Sequence, residues 1–454
     1  MSNLAPTPDP QTAWQPWQST ESEPWDRRLA AHLFRRASFG ASRAQLDEAV
    51  TSSPHECVDH LLNKCQDAET RAFDAEMTTM AAGLVAGEPQ TLEPWWLYRM
   101  LFTPASLRER MTLFWHGHFA TSAATVNNTS MMLAQNETLR QHALGHFEPL
   151  VQAVSRDPAM LTYLNSTTNA RIHPNENYAR EVMELFCLGV GNYTERDIQE
   201  TARCFTGWEI RRKRFRFNKH QHDFGTKSLF HQTGKFDGDD AVRIILAQDA
   251  APRFIARKLV NYFVCDHPVS DELVEPLARE LRDNDFHIEP VVCRILTSRY
   301  FYSQAAVGQK IRSPVDLAIG LLRCLEGTVG TIALAAALQP LGQRVFFPPN
   351  VKGWEGGRKW INATTLIGRV NLVSKLLRND HVRFADGSLT DYFQDSETSA
   401  KLVDTLAGLL LAVPLPDSAR RELIRVAQFH KNKVARGASD VLCTLAALPE
   451  FQLG

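Results

Sequence analysis

Asn175 to Trp208, "NENYAREVMELFCLGVGNYTERDIQETARCFTGW", is the stretch whose reading decides the fold. At ~100° per residue, Glu176, Asn177, Arg180, Glu181 and Glu184 fall within an arc of roughly 140° on a helix. Tyr178, Ala179, Val182, Met183, Leu185 and Phe186 fill the opposite side. One face is therefore core, and the other meets water or does chemistry. Thr194 with Asp197 three residues later is a capping pair that opens a second helix running towards Trp208.

The same helical grammar extends in both directions. Residues 1–22 are rich in Pro, Thr, Gln and Ser and are expected to form a flexible N-terminal arm. Order is expected to begin at "SEPWDRRLAAHLFRRASFG", with Ser22 as a cap and Gly40 as a terminator. Ser42 and Gln45 open the next helix. "PWWLYRMLFTPASLRERMTLFWHGHFA" reads as two helices separated at Pro104, the second opened by a Ser106–Glu109 capping box and interrupted by Gly117. Local contacts dominate, so the class is mainly α. Two departures are expected: a small β-hairpin insertion at about 211–238, where Arg214, Phe215, Arg216 and Phe217 alternate, and a long Trp/Gly/Pro loop at about 346–362. Residues 23–454 are read as a single large helical domain, with 391–454 as closing amphipathic helices.

Charge and cysteine usage exclude several classes. Lys plus Arg total 50 against 51 Asp plus Glu, so no net field draws the chain to nucleic acid or an acidic membrane. The eight cysteines form no Cys-x-x-Cys pair and fit reduced, buried thiols better than a disulfide framework. The longest apolar run, Leu406 to Val413, falls short of the ~18 residues a membrane span needs. The N-terminus has no basic start and no apolar centre, so a soluble, cytoplasmic protein is expected, with export alongside a partner left open.

Three constellations carry candidate chemistry. His116 and His118 in "FWHGHF" would point ~200° apart in a continuous helix and share a face only in an extended segment. A helix end at Gly117 keeps a metal reading open, against one histidine capping and one packed. The Glu176, Arg180, Glu181, Glu184 face is either a solvated ion-pair face or, if buried, a carboxylate site in need of a cation. "HQHDFGTK" supplies His220, His222, Asp223 and Lys227 on a polar hairpin tip. No phosphate loop, dinucleotide motif or Gly-x-Ser-x-Gly elbow competes.

Taken in order, "HLFRRASFG", "RMTLFWHGHF", "RQHALGHF", the opening stretch, "FRFNKHQHDFGTKSLF", "RFIARKLVNYFV" and "WINATTLIGRVNL" resemble the bacterial family known as domain of unknown function 1800 (DUF 1800), over about Asp26 to Leu372. The resemblance implies a large, mainly helical domain, often encoded beside a sulfatase-like protein and often exported. Its pattern corresponds here to His116, His118, His142, Glu176, Arg180, Glu181, Glu184, Thr206, Gly207, Trp208, His222, Asp223, Gly225 and Lys227. Two functional readings follow. The first is a metal-dependent enzyme, hydrolytic or oxidative, with a divalent ion held by His116, His118, His222 and Glu184, and with Glu181, Arg180, Lys227 and Asp223 as catalytic groups. The second is a non-enzymatic helical scaffold acting with the sulfatase-like partner.

Overall fold

Amphipathic periodicity becomes helix along nearly all of the chain. The computed structural model describes residues 8–379, 381–385, 387–394, 396–429 and 437–454. Among them are twenty-three α-helices and three two-stranded antiparallel ladders, so the molecule is mainly α. Buried apolar side chains from Ala13 to Phe451 form one contiguous cluster. The eight cysteines are free thiols, and no described helix is long and apolar enough to cross a membrane.

The helix Ser106–His118 lies at the centre, apolar or buried on nearly every side, with Leu107, Met111 and Trp115 wholly inaccessible. It packs against the helices Arg27–Ser38, Pro54–Asn63, Leu92–Phe102 and Thr129–Gln141. It runs straight through Gly117 to His118, which corrects the expected interruption. The expected capping box is also corrected. No side chain caps this helix, and Glu109 instead faces inward as a fully buried carboxylate. It accepts from Trp96 Nε1 at 2.5 Å, Arg99 Nε at 3.0 Å and Arg140 Nε at 2.9 Å. Against burial, which raises it, the Arg140 and Arg99 guanidiniums hold the Glu109 carboxyl well below the usual carboxylate range. Only a charge paired in this way is tolerable inside a core.

Within the expected N-terminal arm, residues 13–17 dock on the body of the protein, while residues 18–22 are exposed. Trp14 and Trp17 are buried, with Trp14 Nε1 donating to Leu273 O at 2.7 Å and Trp17 N to Thr297 O at 2.8 Å. Two indoles supply the apolar area that the polar composition lacked. Residues 1–7 lie outside the described residues. The first long helix starts at Arg27 under an Asp26 cap, rather than under Ser22.

The single expected hairpin is two. Trp208–Arg211 pairs with Arg214–Phe217, and Lys227–Leu229 pairs with Gln232–Gly234. Their two-residue turns, Arg212–Lys213 and Phe230–His231, all have positive φ. Such turns are normally signalled by Asn-Gly or Gly-Gly, which are absent here. The loop over 346–362 is irregular apart from a short 3₁₀ turn at Gly357–Trp360. Helices Ser399–Leu410, Asp417–Gln428 and Ala438–Leu445 close the chain.

Candidate functional site

The opening stretch does not form one regular helix. Asn177–Glu181 is α-helical, Val182–Cys187 widens into a π-turn, and the Thr194-capped helix Glu195–Cys204 follows. Leu188 N and Gly189 N both donate to Met183 O, at 2.9 and 3.2 Å, so the turn closes on one carbonyl. Insertions of this kind recur at functional sites because they re-aim side chains. Tyr178, Val182, Met183, Phe186 and Cys187 are buried as the periodicity requires.

The polar face is half-buried and unevenly satisfied. Arg180 makes a two-toothed contact with Glu195, at 2.7 and 3.2 Å, and lies 3.5 Å from Glu176. Glu184 accepts from Tyr193 Oη at 2.8 Å. Glu181 has no hydrogen bond or ion pair among the described residues. Burial first, and then the Glu184 carboxylate, push the Glu181 carboxyl above its ordinary value, while Lys352 and Arg180 pull the other way. Burial and the Glu181 charge likewise push the neighbouring Tyr163 hydroxyl up. A free, reluctantly ionised carboxyl between a tyrosine and two cations is an arrangement suited to proton transfer.

Two histidines hold the walls of this site. Because the central helix is continuous, His116 and His118 diverge. His116 Nε2 accepts the Phe346 N–H at 3.0 Å, which anchors the 346–362 loop, and its ring lies edge-on to Trp96 at 4.9 Å. An acceptor Nε2 means a neutral ring, and burial pushes its pKa down to about 3. His118 Nε2 meets Phe186 O at 3.0 Å as a donor, bracing the π-turn, and its Nδ1 is buried without a partner. Burial, and then Lys258, push His118 well below its ordinary value. The loop lies directly on the helix. Gly353 has φ +75°, and a Cβ there would sit 2.3 Å from Gly117 O, so only glycine admits the approach. Lys352, next to it, is exposed, and its charge reaches Glu181.

His222, Asp223 and Lys227 form a knot on the helix Glu195–Cys204, with His222 and Asp223 in the turn that leads into the strand Lys227–Leu229 and Lys227 as that strand's first residue. His222 Nδ1 donates to Thr206 O at 2.8 Å, and Asp223 N to Thr206 Oγ1 at 2.8 Å. Arg203 Nε binds Asp223 at 2.7 Å and holds its carboxyl low. The buried Lys227 ammonium donates to the carbonyls of Asp223 at 2.5 Å, Phe236 at 2.8 Å and Gly225 at 3.4 Å. Burial pushes its pKa down. His220 is exposed, and burial lowers the pKa of the half-buried His142.

No three of His116, His118, His222 and Glu184 bring ligand atoms within 4.8 Å of one another. Among the described residues, the group of three that does is His55, Asp59 and Cys293, on the surface. The residues that surround Glu181 and were not singled out from the sequence are Tyr163, Tyr193 and Lys352. Lys352 lies in the loop flagged for its length, but nothing in its spacing marks the lysine itself.

A large, mainly helical protein with half-buried carboxylates at and just before a π-turn is the class that the fold defines. The family model described as protein of unknown function (DUF1800) matches residues 32–453, and the chain belongs to that family. No curated protein and no solved structure matches it.

Proposed function

We propose that the protein is an enzyme whose acid–base group is Glu181, acting on a small polar substrate that carries an anionic group. The observation that supports this is the half-buried Glu181 carboxyl without a hydrogen bond or ion pair, beside Tyr163, Glu184, Lys352 and Arg180. Glu181 exchanges the proton, and Arg180 and Lys352 neutralise the anionic group. His116 and His118 position the two walls. Asp223 and Lys227 act through the knot rather than on substrate. The divalent ion expected from the sequence is proposed at Glu184 with substrate and water oxygens, so that Glu181 stays free for the proton. Such an all-oxygen set suits magnesium or manganese better than zinc, since the His116 Nε2 lone pair is already engaged.

The test is thermal-shift screening of wild type and Glu181→Gln against small phosphates, carboxylates and sulfates, each with and without Mn²⁺. The expected result is a ligand that stabilises wild type and not the variant, with the variant alone melting no lower than wild type. No response in wild type, or equal responses in both chains, would overturn the proposal.

A second reading, the scaffold that docks the sulfatase-like partner, is supported by an exposed apolar corner. Ile172 is 85% exposed, Phe224 60% and Phe217 44%. Arg171 N bonds Gln221 O, which brings the Ile172 turn to the His222–Phe224 segment. Co-elution with that partner, abolished by Phe224→Ser, tests it.

A further inference from the structure

The buried face of the helix Arg27–Ser38 carries two adjacent arginines, Arg35 and Arg36, both nearly inaccessible. They meet Arg110 of the central helix and Lys310 and Arg312 of a later segment around a cavity of about 20 Å³. Among the described residues, two side-chain carboxylates pair with these five cations. Asp316 pairs with Arg110, and Asp266 with Lys310. Arg35, Arg36 and Arg312 form no ion pair with a side-chain carboxylate among the described residues, although the charges of Asp266 and Asp316 reach Arg36 and that of Asp316 reaches Arg312.

Main-chain oxygens satisfy part of the guanidinium set. Arg35 Nη2 donates to Leu411 O at 2.7 Å and Leu409 O at 3.2 Å. Arg36 Nη2 donates to Gly454 O at 2.7 Å and Ala306 O at 3.1 Å, and Arg312 Nε to Leu453 O at 2.8 Å. Three buried donors in the same ring have no acceptor: Arg35 Nη1, Arg36 Nε and Arg110 Nε. Carbonyl dipoles do not cancel net charge. Unpaired buried guanidiniums are among the most expensive arrangements a core can hold, and burial pushes Arg35 and Arg36 down to about 9.

We propose that this cavity is a binding site for one small inorganic anion, which Arg35, Arg36 and Arg312 neutralise and which locks the first helix to the closing segment. A space of about 20 Å³ admits one particle of water or chloride size, or a single oxygen of a larger oxyanion. Chloride is therefore the ion that fits whole, and phosphate could insert only one oxygen.

The test is thermal melting of the full chain in gluconate, chloride and phosphate at equal ionic strength. The expected result is a melting temperature about 3 °C or more higher in saturating chloride than in gluconate, with the response at least threefold smaller in Arg35→Gln. A larger response to phosphate than to chloride would still support an anion site and identify its occupant as an oxyanion. In a chain ending at Gly454 the main-chain carboxylate competes for Arg36, so a chain with two appended residues is titrated alongside. A specific response in either chain supports the site. Should Arg35→Gln not fold, an anomalous bromide peak within 4 Å of Arg35 and Arg36 in soaked crystals supports it, and no peak overturns it. Equal melting in gluconate, chloride and phosphate in both chains, or an unchanged response in Arg35→Gln, also overturns it.

Discussion

His116→Gln separates a wall-holding histidine from a metal ligand by its pH dependence. In the fold His116 is neutral with a pKa of about 3, against 6.5 ordinarily. The unfolded chain therefore binds one more proton than the folded chain between those values, and stability falls as pH falls through that window. At pH 5 an unfolded histidine of pKa 6.5 disfavours the fold by about 2 kcal/mol, and at pH 7 by only about 0.2 kcal/mol. Glutamine can accept the Phe346 N–H through its amide oxygen and takes up no proton. At pH 7 the variant loses the edge-on contact with Trp96 and is expected to be about 1–2 kcal/mol less stable than wild type. At pH 5 the deficit should vanish, a relative gain of about 2 kcal/mol. Urea melts of both chains at the two pH values measure it. Parallel pH profiles would refute the reasoning, and so would zinc-dependent stability lost only in the variant.

Glu109→Ala should cost about 3–5 kcal/mol in urea melts, because it leaves Arg99 and Arg140 buried and unpaired; a loss under 1 kcal/mol would contradict the pairing. Lys227→Met leaves three carbonyls without a donor and should cost about 2–3 kcal/mol. A Lys227 acting on substrate would instead leave the melt unchanged. Gly353→Ala, at φ +75° and against Gly117 O, should cost about 1–2 kcal/mol and lift the loop. Faster proteolytic cleavage near Trp354 reads that out, and an unchanged cleavage rate would count against the close approach.

Much of this molecule was legible where one periodicity governed one element. Of the core face read at Tyr178–Phe186 all but the half-buried Leu185 are buried, Thr194 and Asp197 capped as read, and the irregular segment at 346–362 was delimited by its own prolines and glycines. What escaped depended on tertiary partners. Glu109 carried a capping spacing, but two arginines from other helices claimed it. Gly117 looked like a terminator, yet a helix wrapped by four others keeps its hydrogen bonds whatever its glycine prefers. The hairpin turns at Arg212–Lys213 and Phe230–His231 use residues that carry no turn signal. In the site, the polar face of the opening stretch was visible, but the π-turn was not, because widening by one residue leaves no mark on composition. The His-x-His spacing raised the right question about direction, and helix continuity answered it.

That continuity has a dynamic consequence. The loop hangs from His116 and the π-turn from His118, and both are fastened to the same rod at residues two apart. Either contact can break alone, but fraying of the helix end that carries both histidines would release the two walls together.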